Sequence, residues 1–218
     1  MNHFKIYGAK HGSDKVLHHG YHFFYPRFLD NMRFDYFNLL EIGYGEGWSK
    51  NLWKDYFPNA DVFIADILEY PPDEKYNIFV ADQSTEDGLF SIVDKVKTAK
   101  VIIDDGSHNP DHQILTFEIL FKNLLEHGGV YIIEDIECGY WDSSSILYGY
   151  STGDSNSVNH IKKYIHTINE EFSKEKNDLQ ISTITFGQNC IIITKQTQEE
   201  TNHFNRFYRH ESMLPKNL

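Results

Sequence analysis

From residue 37 onward the chain alternates short apolar runs with longer mixed stretches. The apolar runs are Phe37–Gly43, Asp61–Ile67, Asn77–Ala81, Lys100–Asp104 and Gly129–Asp135. Runs of this length, apolar almost throughout, predict strands buried on both faces. The clearest intervening stretch is Asp111–Glu126, where Ile114, Leu115, Ile119, Phe121, Leu124 and Leu125 form a mostly apolar face at helical spacing. Strands alternating with helices predict an α/β architecture with a mostly parallel sheet. A further helix is predicted over Val158–Lys174. Beyond it, Leu179–Phe186 and Cys190–Lys195 are separated only by Gly187-Gln188-Asn189, which predicts an antiparallel hairpin. The Ser, Gly and Tyr-rich stretch Tyr140–Ser157 reads as a mobile loop. Residues 1–36 show no clean period and predict a loop and short helices packed on the main domain. The expected organisation is an N-terminal covering segment 1–36, a main domain 37–196 and a polar tail 197–218.

Composition narrows the range of functions. The 218 residues suffice for one sizeable domain. A formal net charge of −12 argues against a nucleic-acid partner, since phosphate-binding domains are usually basic. No apolar stretch is long enough for a transmembrane helix, and residues 1–5 do not open a signal peptide. No membrane partner is therefore expected, and a cytoplasmic location is. The two cysteines, Cys138 and Cys190, lie in different elements and form neither a zinc motif nor a disulfide framework.

The first chemical signal is Glu41-Ile42-Gly43-Tyr44-Gly45-Glu46-Gly47 at the end of the first strand. Glycines at that turn let the backbone approach a nucleotide-like ligand. Their spacing differs from the dinucleotide fingerprint, and Glu46 would repel a pyrophosphate at the helix start. S-adenosylmethionine (SAM) carries no phosphate, so an acidic turn is tolerable there. The second strand ends in Asp66, placed to accept both ribose hydroxyls. The third ends in Asp82-Gln83-Ser84, placed at an adenine edge. Glu41, Gly43, Gly45, Ser49, Asp66, Asp82, Gln83 and Asp104 are accordingly candidate cofactor residues.

The second signal is acidic. Strand four ends Asp104-Asp105-Gly106-Ser107-His108, and strand five ends Glu134-Asp135. Neighbouring strand ends would bring Asp105, Glu134 and Asp135 together, and crowded carboxylates need a cation or protons. Hard oxygen donors suit Mg²⁺, with Mn²⁺ or Ca²⁺ as alternatives. The simpler alternative for Asp104-Asp105 is capping of the following helix. His108 is placed to take a proton from an acceptor hydroxyl. His11, His18, His19, His112 and His127 read by default as surface or loop residues.

At these residues the sequence resembles the metal-dependent sugar O-methyltransferases of macrolide biosynthesis, the tylosin and mycinamicin type. The matching pieces are Gly12-Ser13-Asp14-Lys15, His19-Gly20-Tyr21…Tyr25, Leu40–Gly43, Trp53…Tyr56–Ala60, Asp66-Ile67, Asp82–Ser84, Ile103–His108 and Gly128–Asp135. The resemblance spans roughly residues 8–140. It implies a Rossmann-like class I methyltransferase fold, a seven-stranded sheet closed by the C-terminal hairpin. It also implies Mg²⁺ on Asp105, Glu134 and Asp135, His108 as base, and a Gly12–Lys15 segment, Ser13 included, folded over the cofactor. Two departures accompany it. Family members are longer, with a further N-terminal domain that has no counterpart here, and they usually carry Thr and Gly where Ser13 and Val16 stand.

The expected function is SAM-dependent, metal-assisted O-methylation of a sugar or glycan-type hydroxyl. Aromatic residues Trp141, Tyr148 and Tyr150 are candidates to line the acceptor pocket. Alternatives are a methyltransferase for a small phosphorylated or phosphoramidate-like acceptor, a dinucleotide-dependent oxidoreductase, and a non-catalytic SAM-binding protein. A homo-oligomer is compatible with the sequence without being specified by it.

Overall fold

A computed structural model describes residues 1–141, 146–147, 150–151 and 156–207. The N-terminal segment folds as α1 (His3–His11), α2 (Asp14–Leu17) and α3 (Pro26–Leu29), with 3-10 turns at Tyr21–Phe23 and Asp30–Met32. The main unit then runs β1 (Asn38–Ile42), α4 (Trp48–Tyr56), β2 (Asp61–Asp66), β3 (Asn77–Val80), α5 (Glu86–Val96), β4 (Ala99–Asp104), α6 (Pro110–Asn123) and β5 (Leu125–Glu134). Three short helices follow, α7 (Ser157–Lys162), α8 (Tyr164–Ile168) and α9 (Glu170–Ser173). The hairpin β6 (Ile181–Gly187) and β7 (Cys190–Lys195) and the helix α10 (Gln198–Phe207) end the described chain.

The seven strands form one sheet in the order β3-β2-β1-β4-β5-β7-β6. The first five are parallel, and β7 joins β5 antiparallel. Successive side chains of a strand point to opposite faces, so each apolar run supplies two cores. Leu40, Ile102, Tyr131, Ile133 and Ile191 pack with α5, α6 and α7 on one face. Leu39, Val101, Ile103, Ile132 and Ile192 pack on the other with Phe4, Tyr21, Tyr25, Leu29 and Trp53. The N-terminal segment therefore supplies much of one core layer, despite its lack of hydrophobic period.

Three predicted elements end differently. The helix expected over Asp111–Glu126 stops at Asn123, and Leu125 opens β5. There the buried Lys195 ammonium donates to the carbonyls of Phe121 (2.8 Å), in the last turn of the helix, and Leu125 (2.9 Å), at the start of β5. The helix expected over Val158–Lys174 breaks into α7, α8 and α9. Asn169 leaves helical geometry (φ −98°, ψ 37°) and turns its amide onto the Ile165 carbonyl, a side-chain bond that competes with the helix ladder. The polar tail begins with α10. Of the stretch Tyr140–Ser157, Ile146–Leu147 pairs antiparallel with Tyr150–Ser151. Tyr140 ends a 3-10 turn and Ser157 opens α7, while 142–145, 148–149 and 152–155, Tyr148 included, lie outside the described residues. No helix among them is long and apolar enough to cross a membrane.

Candidate functional site

Strand order reverses between β1 and β4, and a cleft of about 620 Å³ opens beyond their carboxyl ends. Register places Ile42 beside Ala65 on one side and Asp104 on the other, while Asp104 pairs with Ile133. The strand-end residues picked out in the sequence therefore meet around one opening. Gly43 sits at the crossing with φ 96°, and a Cβ there would lie 2.0 Å from the Asp105 carbonyl oxygen. Only glycine lets the β1 and β4 ends pass this closely.

On the glycine-loop side the polar groups are locally satisfied. Asp66 accepts the backbone N–H groups of Tyr44 (2.7 Å) and Leu68 (2.8 Å), one on each carboxylate oxygen. Each oxygen keeps a second lone pair, so both can still accept a ribose hydroxyl. Asp82 accepts from the Ser84 amide and hydroxyl, bonds that pull its pKa below the usual carboxylate value. Gln83 is a brace. Its amide donates to Asp104 (2.8 Å) and Thr116 (3.2 Å), and its carbonyl accepts from the Ser107 N–H. Gly43, Gly45, Ser49, Asp66, Asp82 and Gln83 all line the cleft.

Ser13, Glu41 and Asp104 do not line it. All three are buried. Glu41 accepts from Ser49 Oγ at 2.6 Å and so supports the loop from beneath. Asp104 lies under Gln83, and burial pushes its carboxyl up to about 7. Capping of α6 falls to Asn109, whose side chain accepts the Asp111 N–H, and not to Asp104-Asp105.

Across the cleft Asp105, His108 and Asp135 each bring one ligand atom within 4.8 Å of the others. His108 Nε2 is 3.9 Å from Asp135 Oδ2. Both residues adopt left-handed backbone, φ 57° and φ 50°, a conformation His and Asp tolerate better than most. Asp135 is held by Tyr21 Oη (2.6 Å), Asn189 Nδ2 (2.9 Å) and His19 Nδ1 (3.3 Å). Burial raises its pKa, and the Asp105 charge adds to the rise. Glu134, the third expected carboxylate, is turned to other partners. Lys15 Nζ bonds its Oε2 at 2.7 Å and Tyr25 Oη bonds its Oε1 at 2.6 Å.

Lys15 is the principal residue missed in the sequence. Its ammonium is fully buried, 2.6 Å from Asp105, 2.7 Å from Glu134 and 3.3 Å from Glu41. It neutralises part of a cluster whose members would otherwise repel. The resemblance implies only that the Gly12–Lys15 segment folds over the cofactor; the structure adds the Lys15 ion pairs. His19 is corrected from a default surface residue to a partner of Asp135. His112 also moves inward, lining the cleft with Nδ1 2.8 Å from Ser107 Oγ. Asn189, read only as part of a hairpin turn, reaches Asp135 and accepts the Glu137 N–H.

This sheet order, its antiparallel seventh strand and a cleft at the switch point define the class I methyltransferase fold. The chain superposes on MycE methyltransferase of mycinamycin biosynthesis, solved with Mg and SAH, at TM-score 0.78, 24% identity, covering 90% of this chain and 55% of that one. A second MycE structure, which also holds mycinamycin VI, gives TM-score 0.76 and 23% identity, with the same coverage of 90% and 55%.

Among curated proteins, the 8-demethyl-8-alpha-L-rhamnosyl tetracenomycin-C 2'-O-methyltransferase of Streptomyces olivaceus is 28% identical over 203 residues, 86% of this chain and 53% of that protein. The mycinamicin VI 2''-O-methyltransferase of Micromonospora griseorubida is 32% identical over 133 residues, 55% of this chain and 33% of that protein. The L-olivosyl-oleandolide 3-O-methyltransferase of Streptomyces antibioticus is 34% identical over 134 residues, 56% of this chain and 34% of that protein. The relatives are thus of the macrolide-type sugar O-methyltransferase group that the sequence resembles. The chain spans between a third and about half of their length. No family model matches the chain.

Proposed function

We propose that the protein is a SAM-dependent, divalent-metal-assisted O-methyltransferase acting on a hydroxyl of a sugar-type acceptor. The observation that carries this is the convergence of Asp105, His108 and Asp135 within 4.8 Å, in the cleft that the glycine loop opens. A base beside two carboxylates is more than a binding module needs. The O-methyltransferase relatives and the Mg and SAH held by MycE support the same reading.

The cleft offers SAM a glycine turn without a phosphate-binding cation and an acid, Asp66, for its ribose hydroxyls. The two carboxylates offer oxygen donors of the kind that suits a hard divalent cation, with the His108 imidazole beside them for proton transfer. Asp105 and Asp135 would hold it, and Glu134 would join by giving up its Lys15 contact. Such a cation would supply Lewis-acid lowering of the acceptor hydroxyl's pKa. His108 takes the hydroxyl proton while the C–O bond forms and the methyl–sulfur bond breaks. Gly43 and the loop after it hold the methyl donor in line with that oxygen. The segment 1–36 closes one side of the site through Lys15 and His19.

The test is methyl transfer from SAM to neutral glycosides, with and without exhaustive chelation. Chelation abolishes turnover and Mg²⁺ or Mn²⁺ restores it. His108→Ala lowers kcat by about 10²–10⁴, while calorimetry shows SAH binding within twofold of the parent. Undiminished turnover after chelation removes the metal from the mechanism, and near-normal turnover of His108→Ala removes the base.

A further inference from the structure

The cleft is lined by seven acids and by no Lys or Arg among the described residues. Four of them, Asp14, Asp105, Asp135 and Glu137, belong to the segments around His108 and His19, apart from the glycine loop. The cations nearby in sequence are already committed. Lys15 is buried among Glu41, Asp105 and Glu134, Lys10 pairs with Asp55, and Lys50 bonds Tyr44 and Asp73. One divalent cation would offset Asp105 and Asp135 and leave Asp14 and Glu137 unbalanced. Glu137 Oε2 is buried and accepts no hydrogen bond among the described residues. A buried carboxylate oxygen without a donor is costly, and a ligand that supplies one is favoured.

We infer that this site selects uncharged or amine-bearing sugars and rejects phosphorylated or nucleotide-linked ones, with Glu137 accepting a hydrogen bond from the sugar. This rests on the methyltransferase reading above and sharpens it. Beyond the one divalent cation, a phosphate brought into the cleft meets several like charges and no lining Lys or Arg among the described residues, the arrangement that excludes a wrong ligand by repulsion. A hydroxyl or an ammonium supplies the donor that Glu137 lacks.

The experiment compares three probes on the full chain with SAH and Mg²⁺ at pH 8, where imidazoles are ordinarily neutral. They are a methyl hexopyranoside, the matching methyl aminohexopyranoside and the hexose 1-phosphate. Binding is read by saturation-transfer NMR and calorimetry, and methyl transfer is read separately with SAM. The expected result is that both glycosides bind and that the phosphate binds at least about 30-fold more weakly, a gap of about 2 kcal/mol. Glu137→Gln narrows that gap at least threefold and raises KM more than it lowers kcat. Equal or tighter binding of the hexose 1-phosphate overturns the inference, as does failure of both glycosides to bind. Selective binding without methyl transfer to any probe would support the charge selection and count against the enzymatic reading, so the two failures are distinguishable.

Discussion

The two sides of the cleft solve the same problem differently. On the glycine-loop side, acids sit at strand ends and are satisfied over short to moderate separations. Asp82 takes Ser84 and Asp66 takes Leu68, each two residues on, and Asp66 also takes the amide of Tyr44, 22 residues before it on the neighbouring strand's loop. On the opposite side, each acid is satisfied across long separations, Asp105 by Lys15 at 90 residues and Asp135 by Tyr21 at 114. Shorter-range bonding makes a site that neighbouring strands and their turns can build. Distant bonding makes one that exists only when the whole fold closes.

The sharpest way to break this contrast is Lys15→Met. It removes the one cation from a buried group of carboxylates, and breaking buried pairs typically costs about 3–5 kcal/mol. Glu41 and Glu134 are held above the usual carboxylate range chiefly by burial, against the pull of Lys15. Carboxyls with raised folded-state pKa favour folding while protonated, and this is lost as pH rises through their folded-state values. The Met variant should therefore lose more stability at pH 8 than at pH 5 in thermal melts. An equal loss at both would mean that Lys15 acts through packing.

Next in size is Gly43→Ala, which tests the locally built side. The added methyl meets backbone, not a flexible side chain, so overpacking of about 1–3 kcal/mol is expected, with at least a tenfold loss of SAH affinity by calorimetry. Gly45→Ala is the control. It also has positive φ but no atom within 4 Å of the added carbon, so its cost should stay near the backbone penalty of about 1–2 kcal/mol. Similar losses for both would show that conformation matters there and the crossing with Asp105 does not.

The smallest effect compares buried with exposed ionic links in the same N-terminal segment. Asp55 bonds Lys10 and His11 at the surface, and these hydrogen bonds lower its pKa. Their contribution is present above the ordinary carboxylate range and is lost as pH falls through it. Asp55→Asn should cost under about 1 kcal/mol and nothing measurable at high salt. A larger, salt-resistant loss would make this contact as important as Lys15.

The same contrast explains what the sequence made legible. Strand ends carry their chemistry in short strings, so Asp66, Asp82-Gln83 and Asp105…His108 could be placed from β-runs and turn residues alone. The five parallel strands and the hairpin were equally plain, since each run is apolar enough to feed both cores. Residues 1–36 lacked any period because their helices are short and their core residues are aromatic and scattered, as with Phe4, Tyr21 and Tyr25. The role of Lys15 was hidden because a lysine ordinarily faces water. Only the fold shows that Asp105 and Glu134 converge on it. Asp104 misled for the opposite reason, since a second acid beside Asp105 looks like a ligand residue until the strand pleat turns it under Gln83.

The placement of Lys15 also sets an interval in synthesis, since Glu134, its partner at 2.7 Å, follows 119 residues later. At about 5–20 residues per second, that interval lasts roughly 6–24 s. During it Lys15, Tyr21 and Tyr25 await the strand they will pack against, and the arm has no completed core on which to settle. The carboxylate side of the cleft therefore cannot be completed until β5 has been made.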